Sequence, residues 1–172
     1  DGLPRRIGDA LRATKNTPVG LQGNNRKFNL LGDPAMRIGM PPCEAVVTAV
    51  NGTPVQQSQG NLRALELVRV EGEVRTRSGS VDESFNGLVT VTVYDAERQV
   101  RLDKVEDMPQ PYYEVREDLI WRGQVSAAGG RYRAEFVVPK DISYSNKPGR
   151  IAVYAQSGDR HNYGYTDSVI VG

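Results

Sequence analysis

One cysteine and one histidine are all that 172 residues offer of the two side chains that most often carry nucleophilic or metal chemistry. A single thiol forms no internal disulfide, so cysteine spacing says nothing about the redox compartment, and a Cys/His zinc site lacks ligands. Excess charge is also missing. Lys and Arg total 22 against 21 Asp and Glu, for a net charge of +1, which gives no electrostatic reason to bind a polyanion, so a nucleic-acid partner is not expected. The longest apolar runs, such as Phe136 to Val138, fall far short of the roughly 18 to 20 residues that cross a bilayer, so no membrane span is expected. No basic stretch followed by an apolar one opens the chain, which places any export signal outside this sequence.

Turn formers, by contrast, are plentiful. Eighteen Gly and ten Pro favour many short strands over a few long helices. The length suits one domain, or one domain with a short extra segment, and composition divides it near Pro42. Within residues 1–40, Ile7, Ala10 and Leu11 fall at helical spacing and predict a helix over Ile7 to Lys15. Phe28 to Leu31 reads as a short buried strand and Gly32-Asp33-Pro34 as a turn. One helix and one strand cannot bury their own apolar faces, so this segment should pack on something outside itself or fold back on the domain after it.

From residue 41 to 172 the period is two. Glu44 to Val50 is the first predicted strand, ending at Asn51-Gly52. Val68, Val70, Gly72 and Val74 share one face, with Arg69, Glu71, Glu73 and Arg75 on the other; Val89, Val91 and Val93 oppose Thr90, Thr92 and Tyr94. Arg98 to Leu102 is expected to pair back across Asp95-Ala96-Glu97, and Lys104 to Glu117 reads as a long loop. The strands Leu119 to Val125 and Tyr132 to Val138 are expected to form a hairpin across Ala128-Gly129-Gly130, with further strands at Arg150 to Gln156 and Thr166 to Val171. The predicted fold is all-β: an antiparallel immunoglobulin- or fibronectin-like β-sandwich of seven to eight strands, preceded by a short helix-strand segment. Trp121 is its expected core anchor, without the cysteine pair of antibody domains.

Three groups of residues could carry chemistry. Cys43 with His161 is the sharpest enzymatic pairing the composition allows, but Cys43 follows two prolines and His161 falls in a Gly/Asp/Asn stretch read as loop, so nothing in the sequence makes them neighbours. Asp95, Asp103, Glu106 and Asp107 could face a calcium ion, yet they lack the Asp-x-Asn/Asp ladder of a calcium loop and read as solvated. Tyrosines form the third group. Tyr144, Tyr154, Tyr163 and Tyr165 cluster toward the C-terminus and Tyr112 and Tyr113 lie in the predicted long loop; tyrosine suits protein or glycan contact because each ring gives area and a polar tip. Tyr112, Tyr113, Tyr144, Tyr163 and Tyr165 are accordingly the candidate partner-contact residues.

Two stretches together resemble a known family. Phe28-Asn29-Leu30-Leu31-Gly32-Asp33-Pro34-Ala35-Met36-Arg37-Ile38, after the Ile7 to Lys15 helix, is similar to the end of the caspase-like domain of gingipain-type cysteine peptidases. Phe85 to Asp95, with Phe136 to Tyr144 and Gly149-Arg150-Ile151, resembles the immunoglobulin-like domain behind it, most of all in the type IX secretion sortases. The resemblance implies residues 1–40 as the end of a caspase-like domain and 41–172 as the immunoglobulin-like sandwich of a bacterial cell-surface, outer-membrane-associated enzyme. That enzyme removes C-terminal secretion signals and attaches cargo to the surface, with its His and Cys upstream of residue 1. Neither Cys43 nor His161 matches a family catalytic position, so no catalytic, metal or cofactor residue is expected here. The implied partners are the upstream caspase-like domain of the same chain, secreted cargo and other secretion components. A free-standing surface adhesion or glycan-binding module is the alternative that the tyrosines support.

Overall fold

The structure, a computed structural model, describes residues 4–104 and 109–172 and divides into two compact units, Asp1–Met40 and Pro41–Gly172. In the first, helix α1 (Ile7–Lys15) carries Asp9 in its first turn and Arg12 and Lys15 in its last, each sign placed where the helix dipole favours it. Its N-terminus is tied to the segment that ends the unit, the Ile7 and Gly8 amides donating to the Met36 and Pro34 carbonyls at 2.9 and 3.0 Å. Phe28 to Leu31 departs from expectation: it comes after a 3-10 helix at Gly23–Lys27, forms no strand, and exposes Phe28 and Leu31. A strand needs a neighbouring strand for its backbone groups, and among the described residues Phe28 to Leu31 has none, the Phe28 carbonyl accepting from Lys15 Nζ instead.

The second unit is the sandwich. Its strands are β1 (Cys43–Val50), β2 (Thr53–Pro54), β3 (Gly60–Leu62), β4 (Leu67–Thr76), β5 (Gly87–Tyr94), β6 (Arg98–Arg101), β7 (Tyr112–Val115), β8 (Leu119–Ala127), β9 (Arg131–Val137), β10 (Lys147–Pro148), β11 (Arg150–Ser157), β12 (Arg160–Thr166) and β13 (Val169–Val171). One sheet runs β2-β1-β4-β9, the facing one β12-β11-β5-β8, with a small β10-β13-β3 sheet and a β6-β7 ribbon beside them. Seven strands are seven to ten residues long. The β4 and β5 alternation predicts the inner layers: Val68, Val70, Val74, Val89, Val91 and Val93 are fully buried and meet Ile151, Val153 and Ala155 of β11. Each fully buried valine contributes roughly 1.5 to 3 kcal/mol.

Four local expectations need correction. β8 and β9 form no hairpin: β8 pairs with β5 and β9 with β4, in opposite sheets, with one Ala128–Arg131 bridge between them. The Gly-Gly turn is therefore an arch, held by bonds from the Gly130 amide to the Phe85 carbonyl and from the Val74 amide to the Gly130 carbonyl, at 2.8 and 2.7 Å. Arg98 to Arg101 pairs not with β5 but with Tyr112–Val115, so part of the predicted long loop is a ribbon. Residues 160–166, read as loop, are strand β12, which pairs with β11 through the two-residue turn Gly158-Asp159, Gly158 having φ of 57°. Finally, alternation through Leu119, Trp121, Gly123 and Val125 predicts Leu119 on the face of Trp121, but Ile120 is the extra residue of a bulge, since Trp121 pairs with Val93 and Leu119 with Tyr94. Ile120 therefore turns inward while Leu119 is exposed. Trp121 keeps its anchoring part from a half-buried position, stacked on Phe136 with centroids 4.6 Å apart.

Across β4 and β9 the ring of Tyr132 lies over Gly72, where a Cβ would come within 2.1 Å of it. Its hydroxyl donates to the Val46 carbonyl at 2.8 Å on β1, tying three strands together, and burial raises its pKa. Tyr132→Phe keeps the ring and removes that bond, so thermal unfolding should show a loss of about 1 kcal/mol. A variant as stable as the parent would remove the tie.

Candidate functional site

The two outer faces of the sandwich differ in kind. On the β1-β4-β9 side the outward residues form a charge lattice: Arg69 pairs with Glu135, Arg133 with Glu135, and Glu73 with both Arg75 and Arg131. Such alternation solvates a sheet face and contributes little to stability. On the β12-β11-β5-β8 side, alternation sends Val153 and Val91 inward and Tyr154, Thr90 and Thr92 outward. Cross-strand register then builds two rows, Tyr163–Tyr154–Thr90–Gln124 and Tyr165–Ala152–Thr92–Arg122. Small Ala152 and Thr92 leave a trough between larger neighbours. Tyr94, Arg116, Arg150, Tyr163 and Tyr165 line a recess of about 430 Å³ at one end, and Thr90, Thr92, Arg122 and Tyr154 a smaller one of about 150 Å³ at the other.

Several of these side chains are held in place. Arg150 grips Asp167 through two bonds of 2.6 and 2.7 Å and lies over the Tyr165 ring, 4.4 Å from its centroid. Arg116, at the end of the β6-β7 ribbon, is mostly buried and reaches Asp167 at 3.3 Å and Glu97 at 3.1 Å, while its Nε is buried without a partner among the described residues. The Tyr154 hydroxyl and His161 Nδ1 are 2.6 Å apart.

The candidate contact residues are thus only partly gathered. Tyr163 and Tyr165 stand together on β12, a strand rather than a loop, beside Tyr154. Tyr112 and Tyr113 are exposed on the ribbon, and Tyr144 is exposed in the loop after β9, its hydroxyl donating to the Lys140 carbonyl at 2.9 Å. Arg116, Arg150 and Asp167 do not stand out in the sequence; Arg116 and Arg150 lie 51 and 17 residues from Asp167, and only the fold joins them.

Cys43 and His161 do not form a dyad. The Cys43 thiol lies 3.6 Å from Asp82 Oδ2, and burial followed by the Asp82 charge pushes its pKa up, which is the wrong direction for a nucleophile. His161 is exposed against Tyr154 instead. Asp82 also accepts from Arg160 at 2.9 Å and from the Ser84 hydroxyl, so the cluster pins the start of β12 to the turn before β5. Asp95 is not a solvated loop carboxylate: it is buried and accepts the Ala96 and Ser143 amides, each at 2.6 Å. Asp103 is exposed, Glu106 and Asp107 lie outside the described residues, and no group of three metal-ligating side chains occurs among those described.

The Arg150–Asp167 pair predicts an acid response. The Arg150 hydrogen bonds hold the Asp167 carboxyl below its usual range, against the opposing effect of burial. A carboxylate with a lowered folded pKa stabilises fully above its unfolded value and loses that contribution as pH falls through the folded one. Below about pH 4 the parent should lose melting temperature more steeply than Asp167→Asn. Parallel curves would exclude Asp167 from the acid response.

No family model matches the chain, and no curated protein matches it. Among solved structures, dimeric latent PorU from Porphyromonas gingivalis is 28% identical over 98% of this chain and 16% of its own, with a TM-score of 0.70. Spo0M, a sporulation control protein from Bacillus subtilis, is 11% identical over 78% of this chain and 50% of its own, with a TM-score of 0.38. A β-glucosidase from Listeria innocua is 14% identical over 91% and 20%, with a TM-score of 0.29. Among the described residues no helix is long and apolar enough to cross a membrane. The chain spans 16% of PorU's length, and over that span it has the PorU-like, all-β fold that the two sequence stretches predict.

Proposed function

We propose that this chain is a non-catalytic part of a larger gingipain-like cysteine peptidase of type IX secretion, acting at the bacterial cell surface, where the parent removes C-terminal secretion signals and attaches cargo. Residues 1–40 are the end of its caspase-like domain, and the sandwich supports that domain or contacts cargo. The observation that carries this reading is the PorU likeness, which takes in 98% of the chain but 16% of PorU. Two features agree with it. Residues 4–40 expose Val19, Leu21, Phe28, Leu31, Met36, Ile38 and Met40, an apolar surface of the kind a neighbouring layer covers. The Cys43 thiol faces the Asp82 carboxylate rather than an imidazole, which agrees with a peptidase Cys-His pair elsewhere in the parent. Sequencing the coding region upstream of Asp1 tests the proposal. A continuous frame encoding a caspase-like domain with His and Cys is expected; a start codon immediately before Asp1, or an upstream frame that encodes another fold, overturns it.

A further inference from the structure

We infer that the outer face of the β12-β11-β5-β8 sheet docks a protein partner that presents a carboxylate to Arg122 and apolar or aromatic side chains to Tyr154 and Tyr163. Four observations lead there. First, the outward positions of these four strands carry tyrosines, threonines, glutamines and arginines but no Asp or Glu, whereas the opposite outer face is a balanced ion-pair lattice. Second, Arg122 is exposed and makes no ion pair or hydrogen bond among the described residues. It stands at the end of the Tyr165–Ala152–Thr92 row, a cation left for a ligand's carboxylate. Third, two of the three exposed rings are held in place: Tyr154 is bonded to His161, and Tyr165 is stacked under an Arg150 that Asp167 fixes. A surface ordered in advance loses less side-chain entropy on binding. Fourth, Leu88 is 52% exposed on the same face, opposite Gln156, and tyrosine, arginine and an accessible aliphatic residue together make the core of a protein interface.

The same geometry decides among occupants. β5 and β11 are paired along both edges, so an extended peptide finds no free backbone groups over the trough and cannot add as a strand there. The exposed leucine favours an apolar side chain over sugar hydroxyls. A second copy docking through its opposite sheet face would bring charges already paired within that sheet. What fits is a different protein, with a carboxylate and an apolar side chain set about 10 to 15 Å apart, the two to three strand spacings from Arg122 to Tyr154 and Tyr163.

This inference does not rest on the parent-protein reading, and its test uses the 172-residue chain itself. Two libraries of disulfide-constrained peptides are selected on it, one with randomised positions limited to Asp, Glu, Phe, Trp and Leu, the other with Lys and Arg in place of the acids. The acidic library should enrich, and its binders should shift the amides of Thr90, Thr92, Ala152 and Tyr163 in heteronuclear spectra. Arg122→Glu and Tyr163→Ala should each weaken them about tenfold, while Arg122→Lys stays within about threefold. Both positions are exposed, and unchanged melting curves would establish that the variants fold. Equal enrichment of the basic library overturns the inference, as do binders indifferent to these substitutions. So does trigalacturonate binding with the same losses, which would make the occupant an acidic glycan.

Discussion

Gly164→Ala is expected to lower the melting temperature by roughly 6 to 12 °C, the shift that about 3 kcal/mol produces in a chain of this size. The added Cβ would sit 2.0 Å from the Ala45 carbonyl oxygen and 3.1 Å from its carbon. Both are backbone atoms of β1, so no rotamer change and no trimming of a side chain relieves the contact. β12 would have to leave β1, and that contact closes one side of the sandwich. It is also where Asn162, buried on the same face of β12, accepts the Cys43 amide at 3.1 Å. Breaking that bond is part of the cost, since a buried polar group left unpaired is worth about 1 to 3 kcal/mol. Gly39→Ala is the control, because its Cβ would meet nothing within 4 Å and its effect should stay within about 0.5 kcal/mol. Thermal unfolding by circular dichroism compares the two; a Gly164→Ala melt within a degree of the parent would show that β12 is not seated on β1.

Gly164 and Asn162 also show what a sequence discloses and what it withholds. Alternating Tyr163 and Tyr165 with Asn162 and Gly164 is a period-two pattern, and its inward residues are small or polar because β1 runs against them. The Gly158-Asp159 turn before it is a legible hairpin signal, yet the glycine, aspartate and asparagine content of the stretch reads equally well as loop. In β4 and β5 there is no such ambiguity: valine or valine-glycine alternations against charged or threonine residues admit one face for the core. The arch between β8 and β9 is not legible at all. Two strands joined by Ala-Gly-Gly have the same local sequence whether they pair or separate; what decides is that β5 and β4 are already in place to receive them. The bulge at Ile120 is of the same kind, since it exists only relative to β5, whose consecutive Val93 and Tyr94 face Trp121 and Leu119. The face with Tyr154, Tyr163 and Tyr165 is half legible. Tyrosine clustering points to it, but assembling Arg116, Arg150 and Asp167 around it takes three separate parts of the chain.

Phe85→Ala should cost about 3 to 5 kcal/mol, and Phe28→Ala, the same change of atoms, about 0.5 kcal/mol or less. The difference is burial. Phe85 has no exposed surface and heads the fully buried side chains by size, while Phe28 is 66% exposed. Phe85 sits in the turn before β5, its amide donating to the Asp82 carbonyl and its carbonyl accepting from Gly130, so the backbone on either side is fixed and cannot collapse into the space the ring leaves. That failure to relax places a cavity's cost at the upper end of the range. The ring also carries the Arg160 guanidinium 5.4 Å from its centroid, and Arg160 in turn holds Asp82, which lies against the Cys43 thiol. Loss of the ring should therefore loosen the cluster that shields Cys43, and a thiol reagent should label Cys43 faster in Phe85→Ala than in the parent under native conditions. Phe85→Leu, which refills most of the volume, should recover most of the stability and slow labelling again. Equal destabilisation by Phe85→Ala and Phe28→Ala would contradict the core, and an unchanged labelling rate in a destabilised Phe85→Ala would separate the Cys43–Asp82–Arg160 cluster from the ring beneath it.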